Sequence, residues 1–134
     1  MTGFMYLASP YTHPDPVIRE LRYLKTTEAL RQLLVSKVWT YSPIVHCHEL
    51  AKVWDMPREA KFWEEYNKAM LSQASILCIL ALDGWLSSEG IKTELAFALS
   101  HGKPVVYIED GGYHEVLNAW RMIWDKKTPS ASSA

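Results

Sequence analysis

Apolar runs alternate with helix-period patterns along the chain, and this alternation predicts the order of its elements. Phe4-Met5-Tyr6-Leu7-Ala8 predicts a first strand, stopped by Ser9-Pro10-Tyr11-Thr12-His13-Pro14, whose two prolines forbid regular structure. From Pro16 to Ser36, Val17, Leu21, Leu24, Ala29, Leu33 and Leu34 recur at helical spacing, with Asp15 as N-cap and Pro16 in the first turn. Val38-Trp39-Thr40-Tyr41 predicts a short second strand, which runs into Ser42-Pro43-Ile44-Val45-His46-Cys47-His48 and then a less regular segment. Pro57 precedes a helix over 58–74. Ile76-Leu77-Cys78-Ile79-Leu80 and Val105-Val106-Tyr107-Ile108 predict two further strands, joined by a loop and a helix that carries Glu94. A last helix is expected over 113–124, after the Asp110-Gly111-Gly112 turn, and a disordered tail over 126–134.

Strands alternating with helices predict an α/β fold with a mostly parallel sheet. Right-handed crossovers then give a doubly wound sheet of four to five strands in a three-layer sandwich, with ligand at the carboxyl ends of the strands. The 134 residues suit one domain with its own core, expected over 1–125.

The loop after the third strand carries Asp83, Gly84, Trp85, Ser88 and Gly90 and leads into the helix of Glu94. Small polar residues and glycines there let an anion approach the backbone, and the helix N-terminus offers it unpaired N–H groups. The plainer alternative is equally open: Ser88 caps the helix and Glu94 is a solvated helix residue. The loop after strand one brings Ser9 and Tyr11 to the same crevice, and Tyr6 reads by itself as a core strand residue.

A net charge of −1 gives no reason to expect a nucleic-acid polymer or an anionic membrane as partner. With no apolar run long enough to span a bilayer and no signal-like start, a soluble cytoplasmic protein is expected. Cys47 and Cys78 make no disulfide framework. His46, Cys47, His48 and Glu49 lack the second cluster that a zinc site needs, so neither metal nor cofactor is expected. The tryptophans, among them Trp39, Trp54 and Trp63, read as core or subunit-interface residues; Trp85, in the loop before Glu94, is the exception, a candidate ligand-contacting residue.

Tyr6-Leu7-Ala8-Ser9-Pro10-Tyr11, the Ser42 to His48 segment, the Asp83-Gly84-Trp85 and Ser88-x-Gly90-x-x-x-Glu94 block and the Gly102-Lys103-Pro104-Val105 turn, taken in order, resemble the nucleoside 2-deoxyribosyltransferase-like superfamily. The likeness covers 4–108 and is to its small bacterial and phage members, similar to nucleoside 5′-monophosphate N-glycosidases. It implies a Rossmann-like, flavodoxin-like fold, a homodimer or higher oligomer, and cleavage of the N-glycosidic bond between a base and ribose or deoxyribose. Glu94 matches the nucleophile that forms a glycosyl-enzyme intermediate, and Tyr6 matches the active-site tyrosine that holds it. Splitting one displacement into two suits a carboxylate facing an oxocarbenium-like transition state.

Six residues before the nucleophile, relatives acting on free nucleosides carry an aspartate, and those hydrolysing 5′-monophosphates carry a serine. Ser88 therefore implies a phosphorylated substrate, held with Gly84, Gly90 and the loop backbone, to which Ser9 and Thr12 add donors. His46 or His48 is expected near the base, or as a structural histidine. Asn67 stands where the family places an aspartate that protonates the leaving base or orients the substrate; an amide can hold a hydroxyl but exchanges no proton at neutral pH. Asp83 is the first substitute for that acid, or else a turn residue. The resulting expectation is a nucleotide N-glycosidase. The alternatives are a 2-deoxyribosyltransferase and a catalytically weak nucleotide-binding protein.

Overall fold

A computed structural model describes residues 3–109 and 112–127. The four strands among them, β1 (Met5–Ala8), β2 (Thr40–Tyr41), β3 (Ile76–Leu80) and β4 (Val105–Ile108), form one all-parallel sheet in the order β2-β1-β3-β4. This is a doubly wound, Rossmann-like sheet in which the strand order reverses between β1 and β3, the place where such folds open a crevice.

Central strands of a parallel sheet are covered on both faces, which explains why β1 and β3 are continuous apolar runs with every residue buried. Alternation along the pleat sorts their side chains into two cores. Met5, Leu7, Ile76, Cys78 and Leu80 meet Ala29 and Leu33 of α1 (Pro16–Val35) and Val116 and Trp120 of the last helix. Tyr6, Ala8, Leu77 and Ile79 face Leu71 of α3 (Ala60–Gln73) and Ile91 and Ala98 of α4 (Glu89–Ser100).

Several elements differ from the sequence expectation. The segment after β2 is regular: α2 spans Pro43–Trp54, with Ser42 Oγ accepting from the Val45 N–H at 3.1 Å and Pro43 at the first helical position. Its buried positions are Pro43, His48 and Ala51, a set with no apolar periodicity to read. In α1, Asp15 caps Val17 as expected, yet the buried stripe is Thr26, Ala29 and Leu33, while Val17, Leu21 and Leu24 lie exposed. The last helix, α5 (Tyr113–Lys127), continues past Trp124 into the expected tail; 128–134 and positions 110 and 111 of the expected turn lie outside the described residues.

Candidate active site

Helix α4 presents Ile91, Glu94 and Ala98 to the sheet at helical spacing, so Glu94 occupies a core-facing position between two apolar residues. Glu94 is 8% exposed, and its Oε2 accepts a hydrogen bond from the hydroxyl of the fully buried Tyr6 on β1. Burial pushes the Glu94 carboxyl up to about 7, opposed by that hydrogen bond. Burial and the facing carboxylate drive the Tyr6 hydroxyl far above the usual phenol range, which keeps it a donor. Glu94 is the sixth residue of its helix, beyond the first turn where the helix dipole acts, so Tyr6 is the group that favours the charged form. Glu94 is thus not the solvated residue that cap chemistry alone allows. Ser88 is the N-cap, its Oγ accepting from the Ile91 N–H at 3.2 Å.

A cavity of about 460 Å³ opens beside this pair. Loop β1–α1 lines it with Ser9, Tyr11 and Thr12, and the loop after β3 lines it with Gly84, Ser87 and Ser88. Helix α2 adds Cys47 and His48, α3 adds Trp63 and Asn67, and α4 adds Gly90 and Glu94. The cavity therefore lies over the carboxyl ends of β1 and β3, at the reversal of strand order.

Residues 3–110 match the family model of a domain of unknown function, DUF1937. The chain belongs to this family. None of the curated proteins compared with it matches. The DUF1937 span takes in all four strands and every residue that lines the cavity.

Within this DUF1937 domain the expected site residues separate into two groups. Tyr6, Ser9, His48, Asn67, Gly84, Ser88 and Gly90 gather around Glu94 or its cavity. Ser9 is buried, its Oγ accepting from Thr26 Oγ1 at 3.1 Å. Asn67 leaves its buried Oδ1 without a protein hydrogen-bond partner, an arrangement that a ligand hydroxyl relieves.

Asp83, His46 and Trp85 stand apart. Asp83 is exposed and borders a separate hollow with Leu24, Lys25 and Tyr113, which removes it as the substitute acid. His46 stacks on Tyr66 and its Nε2 lies 3.0 Å from the Tyr66 hydroxyl. Trp85 packs against the Tyr107 ring, with centroids 5.6 Å apart. The reason is local: successive loop and helix residues point in different directions, so neighbours in sequence do not share the crevice. Among the described residues no three His, Cys, Asp or Glu side chains converge to hold a metal. No helix among them is long and apolar enough to cross a membrane.

Sequence reasoning missed the cations of the cavity, Arg22, Arg58 and Lys61. Arg19, on the same helix as Arg22, donates from Nη1 to the His13 carbonyl at 2.5 Å. Arg22 ties the two crevice loops together, Nη1 donating to the Thr12 carbonyl and Nη2 to the Asp83 carbonyl, both at 3.1 Å. A signal existed, since Arg22 lies one turn before Thr26 on the buried stripe of α1.

Gly84 has φ +90°, and a Cβ on it would stand 2.6 Å from Arg22 Nη2. Gly84→Ala is expected to lower stability by about 1–2 kcal/mol and to displace the guanidinium. Urea melts of the two proteins check this; equal midpoints and slopes would show that the loop adapts without strain.

Proposed function

We propose that the protein cleaves the N-glycosidic bond of a nucleoside or deoxynucleoside 5′-monophosphate, with Glu94 as nucleophile, releasing free base and sugar phosphate. The observation that carries this reading is the hydrogen bond from Tyr6 to a buried carboxylate that lines a cavity at the strand-order reversal. A carboxylate so placed has one accepted hydrogen bond and an open cavity before it, the setting in which it attacks an anomeric carbon.

The phosphate reading is supported by Arg22, Ser87 and Ser88 lining the cavity, and by the start of α4, where the first N–H groups of a helix have no partner within it. Pro43, Ile44 and Trp63 offer the apolar wall that a base needs, and the Asn67 amide oxygen suits a sugar hydroxyl. Attack by Glu94 on C1′ breaks the bond to the base, and water then opens the glycosyl ester. The exposed apolar stripe of Val17, Leu21 and Leu24 supports assembly of this cytoplasmic enzyme as a homodimer or higher oligomer.

Asn67 favours a second reading, a nucleotide-binding protein with little catalysis, because an amide donates no proton to a leaving base. One assay separates the readings. Purified protein is incubated with ribo- and deoxyribonucleoside 5′-monophosphates and the parent nucleosides, with and without a second base, and free base is followed by chromatography. Release from a monophosphate that Glu94→Gln lacks is expected; exchange with added base marks a transferase. Saturable binding with no release from any substrate leaves the binding protein.

A further inference from the structure

The proposed cleavage needs a proton at the departing base, and Asn67 and Asp83 do not provide one. Among the other acids lining the cavity, Glu59 and Glu89 are exposed, and burial pushes the Cys47 thiol up to about 11. The Tyr11 hydroxyl is a lining group with a proton and a route to replace it. The Tyr11 hydroxyl lies 2.7 Å from Nδ1 of His48, and the Nε2 of that ring lies 2.9 Å from Glu20 Oε2. The imidazole is buried and clamped by the Tyr23 ring, stacked at 4.0 Å, with the Tyr11 ring edge-on at 5.5 Å. The far end of the chain is wet, since the Glu20 side chain is 43% exposed. Both histidine nitrogens are thus committed, one toward the cavity and one toward solvent.

Resting on the glycosidase reading, we propose that Tyr11 is the catalytic proton donor to the departing base, with His48 and Glu20 positioned behind it as a relay. With both ring nitrogens protonated, His48 donates from Nε2 to the Glu20 carboxylate and from Nδ1 to the Tyr11 oxygen, which leaves the phenolic proton free to face the cavity. As Glu94 attacks C1′, the electron pair of the C1′–N bond goes to the base nitrogen. That nitrogen takes the Tyr11 proton, and Tyr11 takes the Nδ1 proton of His48. In the second half, water attacks C1′ and the ester pair returns to Glu94; the water proton passes to Tyr11, and the phenolic proton returns to Nδ1. One acid–base unit serves both halves, as microscopic reversibility asks of a retaining mechanism. Burial raises the Tyr11 phenol, and nearby Arg58 and Arg19 oppose that rise only in part, so the phenol holds its proton until the base departs.

The test measures base release under single turnover by wild type, Tyr11→Phe and Glu20→Gln. The substrates are a purine nucleoside 5′-monophosphate and its N7-methyl form, whose base departs without needing a proton. For a pyrimidine-cleaving enzyme the matched pair is the uracil and 5-fluorouracil nucleotides, which differ in leaving-group acidity. Tyr11→Phe is expected to slow release of the ordinary base by about 10²–10⁴-fold and to leave the activated one far less affected. Glu20→Gln is expected to show the same substrate selectivity with a smaller loss. Equal losses on both members of the pair would reduce Tyr11 to a packing role, and no loss on either would place the donor elsewhere. Activated-base release by Tyr11→Phe also proves the variant folded. No base release by wild type from any substrate overturns the glycosidase reading itself, and the relay with it.

Discussion

Glu94→Gln is expected to lower base release from a nucleoside 5′-monophosphate by roughly 10⁴-fold or more while raising stability at neutral pH. The amide keeps the shape of the side chain and an oxygen to accept from Tyr6, so the loss is chemical. The gain follows from burial. The carboxyl is pushed up from 4.5 to about 7, so the folded protein holds that proton more tightly than the unfolded chain does. Its contribution is complete below the unfolded value, where both states are protonated. It is lost as pH rises from about 4.5 through about 7, amounting to roughly 3 kcal/mol. The wild type should therefore melt at a higher temperature at pH 5 than at pH 8 by more than Glu94→Gln does. Parallel melting profiles of the two proteins would show that Glu94 is solvated in solution.

The same linkage bears on activity. A nucleophile must be ionised, so the rising limb of the rate of base release should run through about pH 7. Tyr6→Phe removes the one hydrogen bond that opposes burial, and should shift that rise to higher pH. An unmoved rise in Tyr6→Phe would assign the titration to another group.

Ser88→Asp is expected to weaken use of a 5′-monophosphate by about 100-fold or more, relative to the parent nucleoside. Aspartate is as good an N-cap as serine, so the Ile91 N–H keeps its acceptor and α4 keeps its start. What changes is a negative charge lining the cavity where the phosphate is proposed to sit, close enough to repel it by several kcal/mol at an effective dielectric of about 20. The readout is the ratio of kcat/KM for monophosphate to that for nucleoside. An unchanged ratio would mean that the phosphate lies elsewhere, and Arg22→Ala then tests whether that guanidinium contacts it.

Much of the architecture was legible because burial leaves a mark on composition. Ile76–Leu80 and Val105–Ile108 are apolar runs whose predicted and observed bounds coincide, and the Asp15-Pro16 start of α1 carries its cap in two residues. Helix α2 escaped notice since its buried side chains are a proline, a histidine and an alanine. The exposed Val17, Leu21 and Leu24 misled in the opposite sense, because an apolar stripe at helical spacing does not say which side of the helix meets the sheet.

For the site, the sequence by itself determined the residue types within each loop: a serine cap at Ser88, a glycine at Gly84, and a carboxylate on the helix that follows. It also determined the parallel topology that sends both crevice loops to one end of the sheet, since alternating strands and helices allow little else. Only the tertiary structure decided partners. Tyr6 meets Glu94 because α4 packs its Ile91–Glu94–Ala98 stripe against the face of β1 and β3 that carries Tyr6. Tyr11, His48 and Glu20 come from a loop and two helices, and Asp83, beside Gly84 in sequence, turns to another hollow. Spacing along a chain records which side chains share an element; which of them share a cavity depends on how the elements pack, and that is set by contacts between residues far apart in sequence.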